Sequence, residues 1–147
     1  MAADLGFTHV ALPVADVDAT AAFYERYAGM EVVHRRAEDP ETGARAVVWL
    51  SDLTRPFVVV CIETAVTHRL GGWSHLGVAV ASRAEVDRRV ADARAAGVAV
   101  DGPYDSGPPV GYWAILPDPD GHHLELAFGQ EVAATVSAAE QERSERP

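Results

Sequence analysis

Apolar and polar residues alternate in two stretches of the chain that follow one pattern. Phe7 to Asp16 and Trp73 to Ser82 both read aromatic, hydroxyl, His, apolar, small, apolar, and then Val-Ala and a residue with a side-chain oxygen. The two histidines are 75 − 9 = 66 positions apart. Such alternation predicts a strand, and Asp16 and Ser82 are residue types that cap helix amino termini. The pattern therefore predicts an internal repeat in which a strand runs into a helix.

A helical period of apolar residues follows each of these caps. The apolar residues recur at i, i+4 and i+7, and each helical segment ends at a glycine, Gly29 in the first copy and Gly97 in the second. Ser82 and Glu85 also have the spacing of a capping box. The sequence therefore predicts one helix in each copy, with both ends marked.

Three strand-like segments follow each helix, in the same order in both copies. They cover residues 31–36, 44–50 and 57–63 in the first copy, and residues 98–101, 110–116 and 122–128 in the second. Polar turns rich in Gly, Pro and Asp separate them, including a loop over 102–109. The sequence therefore predicts an α+β fold made of two βαβββ modules.

The module boundaries follow from the same pattern. The first module covers residues 1–63, a linker covers 64–72, and the second module covers 73–129. The Gly71-Gly72 pair predicts a flexible linker. Residues 130–147 are rich in Ala and Glu and predict a weakly ordered or frayed helical tail. We expect the two modules to form one domain overall.

Composition and charge narrow the classes of partner. The 147 residues are 48% hydrophobic and carry a formal net charge of −10, with no cluster of basic residues, which argues against a nucleic-acid partner or an anionic membrane surface. No apolar run is long enough to cross a membrane. A single cysteine, Cys61, excludes an internal disulfide. We expect a cytoplasmic protein that binds a small molecule and no nucleotide cofactor.

Each module has a histidine on its first strand and a carboxylate on its last strand. The pairs are His9 with Glu63 and His75 with Glu125. If the two sheets curl toward one another, these four side chains converge and form a mixed nitrogen and oxygen site for one divalent ion, Fe, Mn, Ni, Co or Zn. If only one carboxylate binds, the two-histidine, one-carboxylate arrangement leaves positions open for substrate or dioxygen.

The turn Asp118-Pro119-Asp120-Gly121 precedes the last of these ligands. Pro presets one dihedral angle and Gly permits a positive φ, so the turn gives the following strand a defined start. Alternation along that strand separates Glu125 from the apolar face of Leu124 and Leu126. The turn is thus predicted to set the register of Glu125.

Other side chains are candidates for the substrate pocket or for catalysis. Glu63 would act as a base if it points inward, taking a proton from a carbon beside a coordinated carbonyl. Aromatic residues and one histidine on the predicted strands are candidates for the pocket wall: Trp49, Tyr112, Trp113 and His123. Arg45 and Arg55 either pair with an anionic substrate group or lie at a solvated strand edge.

The chain resembles the vicinal oxygen chelate superfamily over about residues 5 to 129. The residues that carry the resemblance are Phe7-Thr8-His9-Val10, the helix with Phe23-Tyr24 that ends near Gly29, Ser74-His75-Leu76-Gly77-Val78, and Asp118-Pro119-Asp120-Gly121 with Glu125. The superfamily includes glyoxalase I, extradiol dioxygenases, methylmalonyl-coenzyme A epimerase, fosfomycin-modifying enzymes and bleomycin-resistance proteins.

The resemblance implies an eight-stranded, open barrel-like mixed sheet with the helices outside. It also implies metal ligands at His9, His75 and Glu125, and Glu63 resembles the additional carboxylate of the glyoxalase I branch. The expected function is a divalent-metal enzyme of the isomerase/lyase or C–C-cleaving dioxygenase type. The alternative is a metal-free binding protein of the bleomycin-resistance kind. Open sheet edges predict a homodimer.

Overall fold

The computed structural model describes residues 3–147, which form two four-stranded mixed sheets and three helices. The chain divides into two compact units. Unit 1 contains the described residues up to His75 together with Pro117–His123, and unit 2 contains Leu76–Leu116 and Leu124–Pro147. The α+β class and the division of eight strands between two modules are confirmed.

The two sheets have the same topology. The elements of the first module are β1 (His9–Val14), α1 (Val17–Ala28), β2 (Glu31–Arg36), β3 (Val47–Ser51) and β4 (Val58–Glu63). Those of the second are β5 (Leu76–Ala79), α2 (Arg83–Ala95), β6 (Asp101–Asp105), β7 (Tyr112–Pro117) and β8 (His123–Phe128). The strand orders are β1-β4-β3-β2 and β5-β8-β7-β6, and β1 pairs with β4 in parallel as β5 does with β8. Each sheet thus repeats one βαβββ arrangement.

The helix ends follow the sequence signals, with one difference. Asp16 accepts hydrogen bonds from the first turn of α1, and Gly29 ends that helix with φ 65°. Ser82 caps α2 through the backbone N–H of Glu85. The Glu85 carboxylate does not complete the capping box, because it accepts hydrogen bonds from Arg88 and Arg89. These two guanidinium groups hold the pKa of Glu85 low, at about 2.

Strand β6 lies later in the sequence than predicted. We expected a strand at residues 98–101 and a loop at 102–109, whereas β6 covers Asp101–Asp105 and contains Gly102 and Pro103. It is an edge strand that pairs only with β7, and an edge strand tolerates a proline because one side of its backbone needs no partner. The Gly-Pro pair was therefore a misleading loop signal.

Alternate residues of the unit 1 strands form a core with α1. Leu12 and Val14 of β1, Val59 and Cys61 of β4, and Leu50 of β3 are all buried. The buried side of α1 packs on β2, β3 and β4 and contributes Val17, Ala21, Phe23, Tyr24 and Tyr27. Burial, assisted by the charge of Asp118, raises the pKa of the Cys61 thiol to about 12. Cys61 is thus an inert core residue.

Unit 2 has a core of the same design. Val86, Val90 and Ala93 are the buried residues of α2, and the strands bury Ala114, Leu116, Leu124 and Leu126. Helix α3 (Val132–Ser144) follows, and none of its residues is buried. The tail is therefore a helix, and all of its side chains are exposed or half-buried.

No helix within residues 3–147 is long and apolar enough to cross a membrane.

The predicted linker is held in place by the turn at 118–121. The Leu70 N–H donates to Nδ1 of His122 at 3.0 Å, and the His123 N–H donates to the Leu70 carbonyl at 2.9 Å. The guanidinium of Arg69 binds the carbonyl of Asp120. These bonds place the linker and the turn together in unit 1, and the flexibility of the Gly71-Gly72 pair stays a prediction.

The Asp118 carboxylate is the centre of this turn and is 5% exposed. Its Oδ1 accepts the backbone N–H groups of Asp120 and His122, each at 2.9 Å. Its Oδ2 accepts the hydroxyl of Tyr24 at 3.0 Å, which joins the turn to α1. Burial raises the pKa of Asp118, although these N–H groups oppose the rise. The turn is therefore built around one buried acid.

His122 and Asp120 connect the turn to the end of β1. His122 is fully buried and donates from Nε2 to the Pro13 carbonyl at 2.8 Å, while its Nδ1 accepts the Leu70 N–H. The Asp120 carboxylate accepts the Ala15 N–H at 3.2 Å. The sequence contained His122 directly after the turn, and only the contacts reveal it as a structural residue.

Replacing Tyr24 with Phe should lower the free energy of unfolding by about 2 kcal/mol, because it leaves a buried carboxylate oxygen without its donor. The loss should shrink as the pH falls through the raised pKa of Asp118, since the protonated acid needs the donor less. Urea unfolding at several pH values measures both effects. Tyr104→Phe, at an exposed tyrosine, is the control and should change stability by less than about 0.5 kcal/mol.

Candidate functional site

A cavity of about 670 Å³ lies on the face of the unit 1 sheet opposite α1. Alternation decides which side chains reach it, because residues next to those of the core point the other way. The strand residues that line the cavity are His9, Ala11, Val33, Trp49, Ser51, Val58, Val60 and Ile62. Residues outside the strands complete the lining: Asp4, Thr8, Leu53, Arg55, Pro56 and Phe57. The cavity is mostly apolar, with polar groups at only a few positions.

His9 is exposed at the start of β1 and lines this cavity. It pairs with Val58 of β4, and the Thr8 hydroxyl lies 2.9 Å from its Nδ1. Because Nδ1 contacts the Thr8 hydroxyl, Nε2 is the ring nitrogen that points away from Thr8. The structure thus gives His9 the side of the sheet that the sequence predicted, opposite the core face of Leu12.

Trp49 is the largest aromatic side chain that lines the cavity, and it is 41% exposed. Its ring lies 4.8 Å from that of His34, centroid to centroid. Trp49 pairs with Val60, which pairs with Ala11, so one row of the sheet runs from β1 to the indole. Its contact with substrate stays a prediction, and the geometry places it on the side of the sheet that such a contact requires.

His75 has its ring tautomer set by the backbone. Its Nδ1 lies 3.0 Å from the Trp73 carbonyl oxygen. A carbonyl only accepts, so Nδ1 carries a proton, and in the neutral ring the lone pair is then on Nε2. Metal-ligating histidines commonly donate their other ring N–H to a carbonyl in this way, which fixes the ring orientation as well as the tautomer.

Glu125 lies on β8 of unit 2 and is 7% exposed. Its Oε1 accepts a hydrogen bond from Nε2 of Gln130 at 2.9 Å. Glu125 pairs with Gly77 of β5, and a Cβ at Gly77 would lie 4.0 Å from Oε1. The carboxylate therefore lies beside a backbone position that has no side chain.

The strand pairing gives Glu125 a different counterpart from the predicted one. Gly77 follows His75 by two residues and pairs with Glu125, whereas Ala11 follows His9 by two residues and pairs with Val60. Val60, not Glu63, therefore occupies the repeat position of Glu125. The first module has an apolar residue at the position where the second has a carboxylate.

Glu63 lies on the α1 side of the sheet, away from His9. It pairs with Val14, a core residue, and its carboxylate accepts the Val17 N–H at 3.0 Å. Val14 follows His9 by five positions along β1, an odd number, so the two side chains point to opposite faces. The predicted convergence of His9 and Glu63 is thus not found within unit 1. The shared parity of Glu63 and the buried Cys61 was the sequence signal for this placement.

Tyr112 and Trp113 are neighbours on β7 and point to opposite faces. The Tyr112 hydroxyl donates to Asp87 of α2 at 2.5 Å, and the Arg83 guanidinium lies 4.2 Å from its ring centroid. Tyr112 therefore faces α2, contrary to its predicted place in the pocket wall. Trp113 is on the open side, where its Nε1 donates to Ser106 at 2.9 Å.

His123 is half-buried at the start of β8 and belongs to unit 1. A Cβ at Gly71 would lie 4.0 Å from its Nε2, so its ring is beside the linker. Its contact with substrate stays a prediction. Within residues 3–147 the structure contains no group of three or more His, Cys, Asp or Glu side chains assembled as metal ligands.

Comparison with known proteins decides the family. The model of the glyoxalase/bleomycin resistance protein/dioxygenase superfamily matches residues 6–126. The chain belongs to this superfamily. An uncharacterized protein of Pseudomonas aeruginosa, PA2024, is 41% identical over 127 residues, which cover 84% of this chain and 88% of that protein.

Solved structures of this superfamily share the fold. The trypanothione-dependent glyoxalase I of Leishmania major has a TM-score of 0.67 at 23% identity, over 97% of this chain and 100% of that one. The fosfomycin resistance protein FosX of Listeria monocytogenes has a TM-score of 0.68 at 18% identity, over 90% and 97%. The antibiotic-binding protein TnmS3 of Streptomyces sp. CB03234 has a TM-score of 0.63 at 22% identity, over 87% and 98%.

The donor set of this superfamily member fits a divalent ion. Imidazole and carboxylate groups suit Mn, Fe, Co, Ni and Zn. The Nδ1–H of His75 donates to a carbonyl, and the Glu125 carboxylate accepts a hydrogen bond from Gln130. Metal ligands in proteins commonly have hydrogen bonds of this kind. The position of Glu63 speaks against a fourth ligand at that residue.

Glu63→Gln should lower the free energy of unfolding by about 0.5 to 1 kcal/mol, because it removes a negative charge that accepts an N–H at the start of α1. It should leave the metal content of the purified protein unchanged, whereas Glu125→Gln should reduce it. Urea unfolding and elemental analysis test this. Glu31→Gln, at an exposed position of β2, is the control for stability. Equal metal loss in Glu63→Gln and Glu125→Gln would contradict the placement.

Proposed function

We propose that the protein is a divalent-metal enzyme in which His9, His75 and Glu125 hold the ion. The observation that carries the proposal is the bond from Nδ1 of His75 to the Trp73 carbonyl, because a metal-ligating imidazole commonly donates its other ring N–H to such an oxygen. His9 also supports the proposal, because it is the repeat counterpart of His75 and lines the cavity. The ligands come from one chain or from two chains of a dimer.

The proposed substrate is a small molecule with two neighbouring oxygen atoms. A bound divalent ion supplies Lewis-acid stabilisation of the charge that develops on such oxygens. The chain itself supplies the apolar cavity that binds the substrate body and excludes water. The two proposed reaction classes are isomerisation or lyase chemistry and C–C cleavage with dioxygen. Because Glu63 accepts the Val17 N–H, we do not assign it as the base. This favours a site in which three ligands, His9, His75 and Glu125, hold the ion.

A second candidate function is the metal-free binding of an antibiotic-like compound. The apolar character of the cavity, with Trp49, Phe57, Val58 and Val60 in its wall, favours this candidate. It requires no metal, so metal content separates it from the enzyme. Oxygen uptake with a panel of catechols would then separate the dioxygenase from the isomerase.

Purified protein should contain about one divalent ion per chain, and His75→Ala should remove it. The matched control is His68→Ala, at an exposed histidine beside Thr67, which should keep the metal. Elemental analysis and thermal unfolding with added Mn, Fe, Ni or Zn measure the effect. A protein without metal that gains no thermal stability from any of these ions would contradict the enzyme and support the binder.

We also propose that the protein is a cytoplasmic homodimer. Three large apolar side chains that precede the two histidines in the sequence by two to four positions are almost fully exposed: Leu5 at 85%, Phe7 at 94% and Trp73 at 97%. Phe7 and Trp73 occupy equivalent positions of the repeat, since 73 − 7 = 66. Exposed aromatic residues of this kind mark interaction surfaces, and a second copy that covers them would remove them from water.

Replacing both Phe7 and Trp73 with Ser should shift the dimer toward monomer, because it removes the apolar surface that the partner would cover. Light scattering at about 10 μM, a concentration at which a specific dimer of micromolar or better affinity persists, measures the change. Val132→Ser, at an exposed valine of α3, is the control and should leave the mass unchanged. A wild-type protein that is monomeric at this concentration would contradict the proposal.

A further inference from the structure

The loop between β3 and β4 forms one side of the cavity and carries its only arginine among the described lining residues. Leu53, Arg55 and Pro56 of this loop line the cavity, beside Phe57. The cavity volume, about 670 Å³, is in the range of sites for drug-sized ligands. Arg45, the other arginine that the sequence offered as an anion partner, does not line it. The structure therefore distinguishes between the two arginines.

Local hydrogen bonds hold this loop in one conformation. The Leu53 N–H donates to the Ser51 hydroxyl at 3.0 Å, and Thr54 donates to the Asp52 carboxylate from its N–H at 2.9 Å and its hydroxyl at 2.7 Å. Leu53 has φ 59°, a left-handed conformation that costs a residue with a side chain about 1 kcal/mol or more. A leucine held in this conformation and 62% exposed at a cavity is typical of a ligand-binding loop.

The Arg55 guanidinium is not committed to a partner in the part of the chain that the structure describes. Other arginines are bound: Arg35 to Asp18, Arg83 to Asp105, and Arg88 and Arg89 to Glu85. For Arg55 no hydrogen bond or ion pair is formed within residues 3–147, although its charge acts on the carboxylate of Asp52. Burial raises the pKa of Asp52, but hydrogen bonds from Thr54 and the charge of Arg55 bring it below its ordinary value.

The apolar wall of the cavity can take a planar group. Trp49, Val60 and Ala11 lie in one row across the sheet, and two strand spacings, about 10 Å, separate the first from the last. An aromatic ring that lies on this row contacts the indole of Trp49 and the side chains of Val60 and Ala11 together. Such a ligand would have its polar end within reach of a long side chain from the β3–β4 loop.

We propose that the cavity selects ligands with a planar apolar body and an anionic group, and that Arg55 pairs with the anion while Trp49 contacts the body. This rests on the proposed function in taking the cavity as the substrate site, and it names the substrate class. The long-range field of a chain with net charge −10 repels anions, so an anionic ligand needs a local cation. Arginine provides it with a planar fork of donors that matches a carboxylate.

Three probes of nearly equal shape test the charge preference: 1-naphthoate, 1-naphthamide and 1-naphthylmethylammonium. Equilibrium dialysis would be done with protein treated with a chelator and at about 0.15 M salt, where the field of distant charges is screened beyond about 8 Å. Wild-type protein should bind naphthoate best and the ammonium probe worst. A preference for the ammonium probe, which Asp4 in the cavity lining would favour, overturns the proposal.

Variants then assign the preference to Arg55. Arg55→Gln should weaken binding of naphthoate by about tenfold and leave naphthamide unchanged, because only the charged hydrogen bond is lost. Arg45→Gln removes the same charge outside the cavity and should change neither. Trp49→Leu should weaken both probes. Equal effects of Arg55→Gln on both probes, no effect on naphthoate, or no binding of either probe to wild type at millimolar concentration overturns the proposal.

Failure of this proposal and failure of the metal enzyme give different results. Because the probes are measured without metal, selective loss in Arg55→Gln supports the anion site even in a protein that binds no ion. A protein that binds one ion and shows no naphthoate preference retains the proposed enzyme and loses the Arg55 assignment.

Discussion

In unit 1 the carboxylate of Asp118 is buried against the hydroxyl of Tyr24, and burial of a charged group is costly unless hydrogen bonds replace its water. Two backbone N–H groups of its own turn and the Tyr24 hydroxyl do so. These bonds fix the turn against α1, and His122 then joins it to Pro13 and to the Leu70 segment. The end of β1, the linker and the start of β8 depend on this one acid, although they are far apart in the sequence.

Alternation along the strands gives each unit a packed face and an open face. In unit 1 the packed face holds Leu12, Val59 and Cys61, and the open face holds His9, Val60 and Trp49. The same rule explains the places of Glu63 and Tyr112, which the helix-covered faces hold. A shift of one residue moves a side chain from one face to the other, so parity has more effect on the site than position along the chain.

The repeat conserves the scaffold and divides the chemistry between its copies. Gly77 faces the carboxylate of Glu125, whereas the equivalent Ala11 faces the side chain of Val60. The first copy therefore has an apolar row that suits the body of a ligand, and the second has a carboxylate at the corresponding position. Equivalent backbones thus carry different chemistry because one position, Val60 in the first copy and Glu125 in the second, differs in polarity.

The sequence by itself determined the order of the modules and the residues that cap the helices. It also determined that His9 lies on the open face of its sheet. These features depend on local propensity and on periodicity. It failed at β6, where Gly102 and Pro103 lie in an edge strand, since edge position is a property of the sheet. Only the tertiary structure decided that Glu63 binds the Val17 N–H and that Arg55 rather than Arg45 lines the cavity. Strand register and loop conformation decide these contacts, and both arise from pairings between residues distant in sequence.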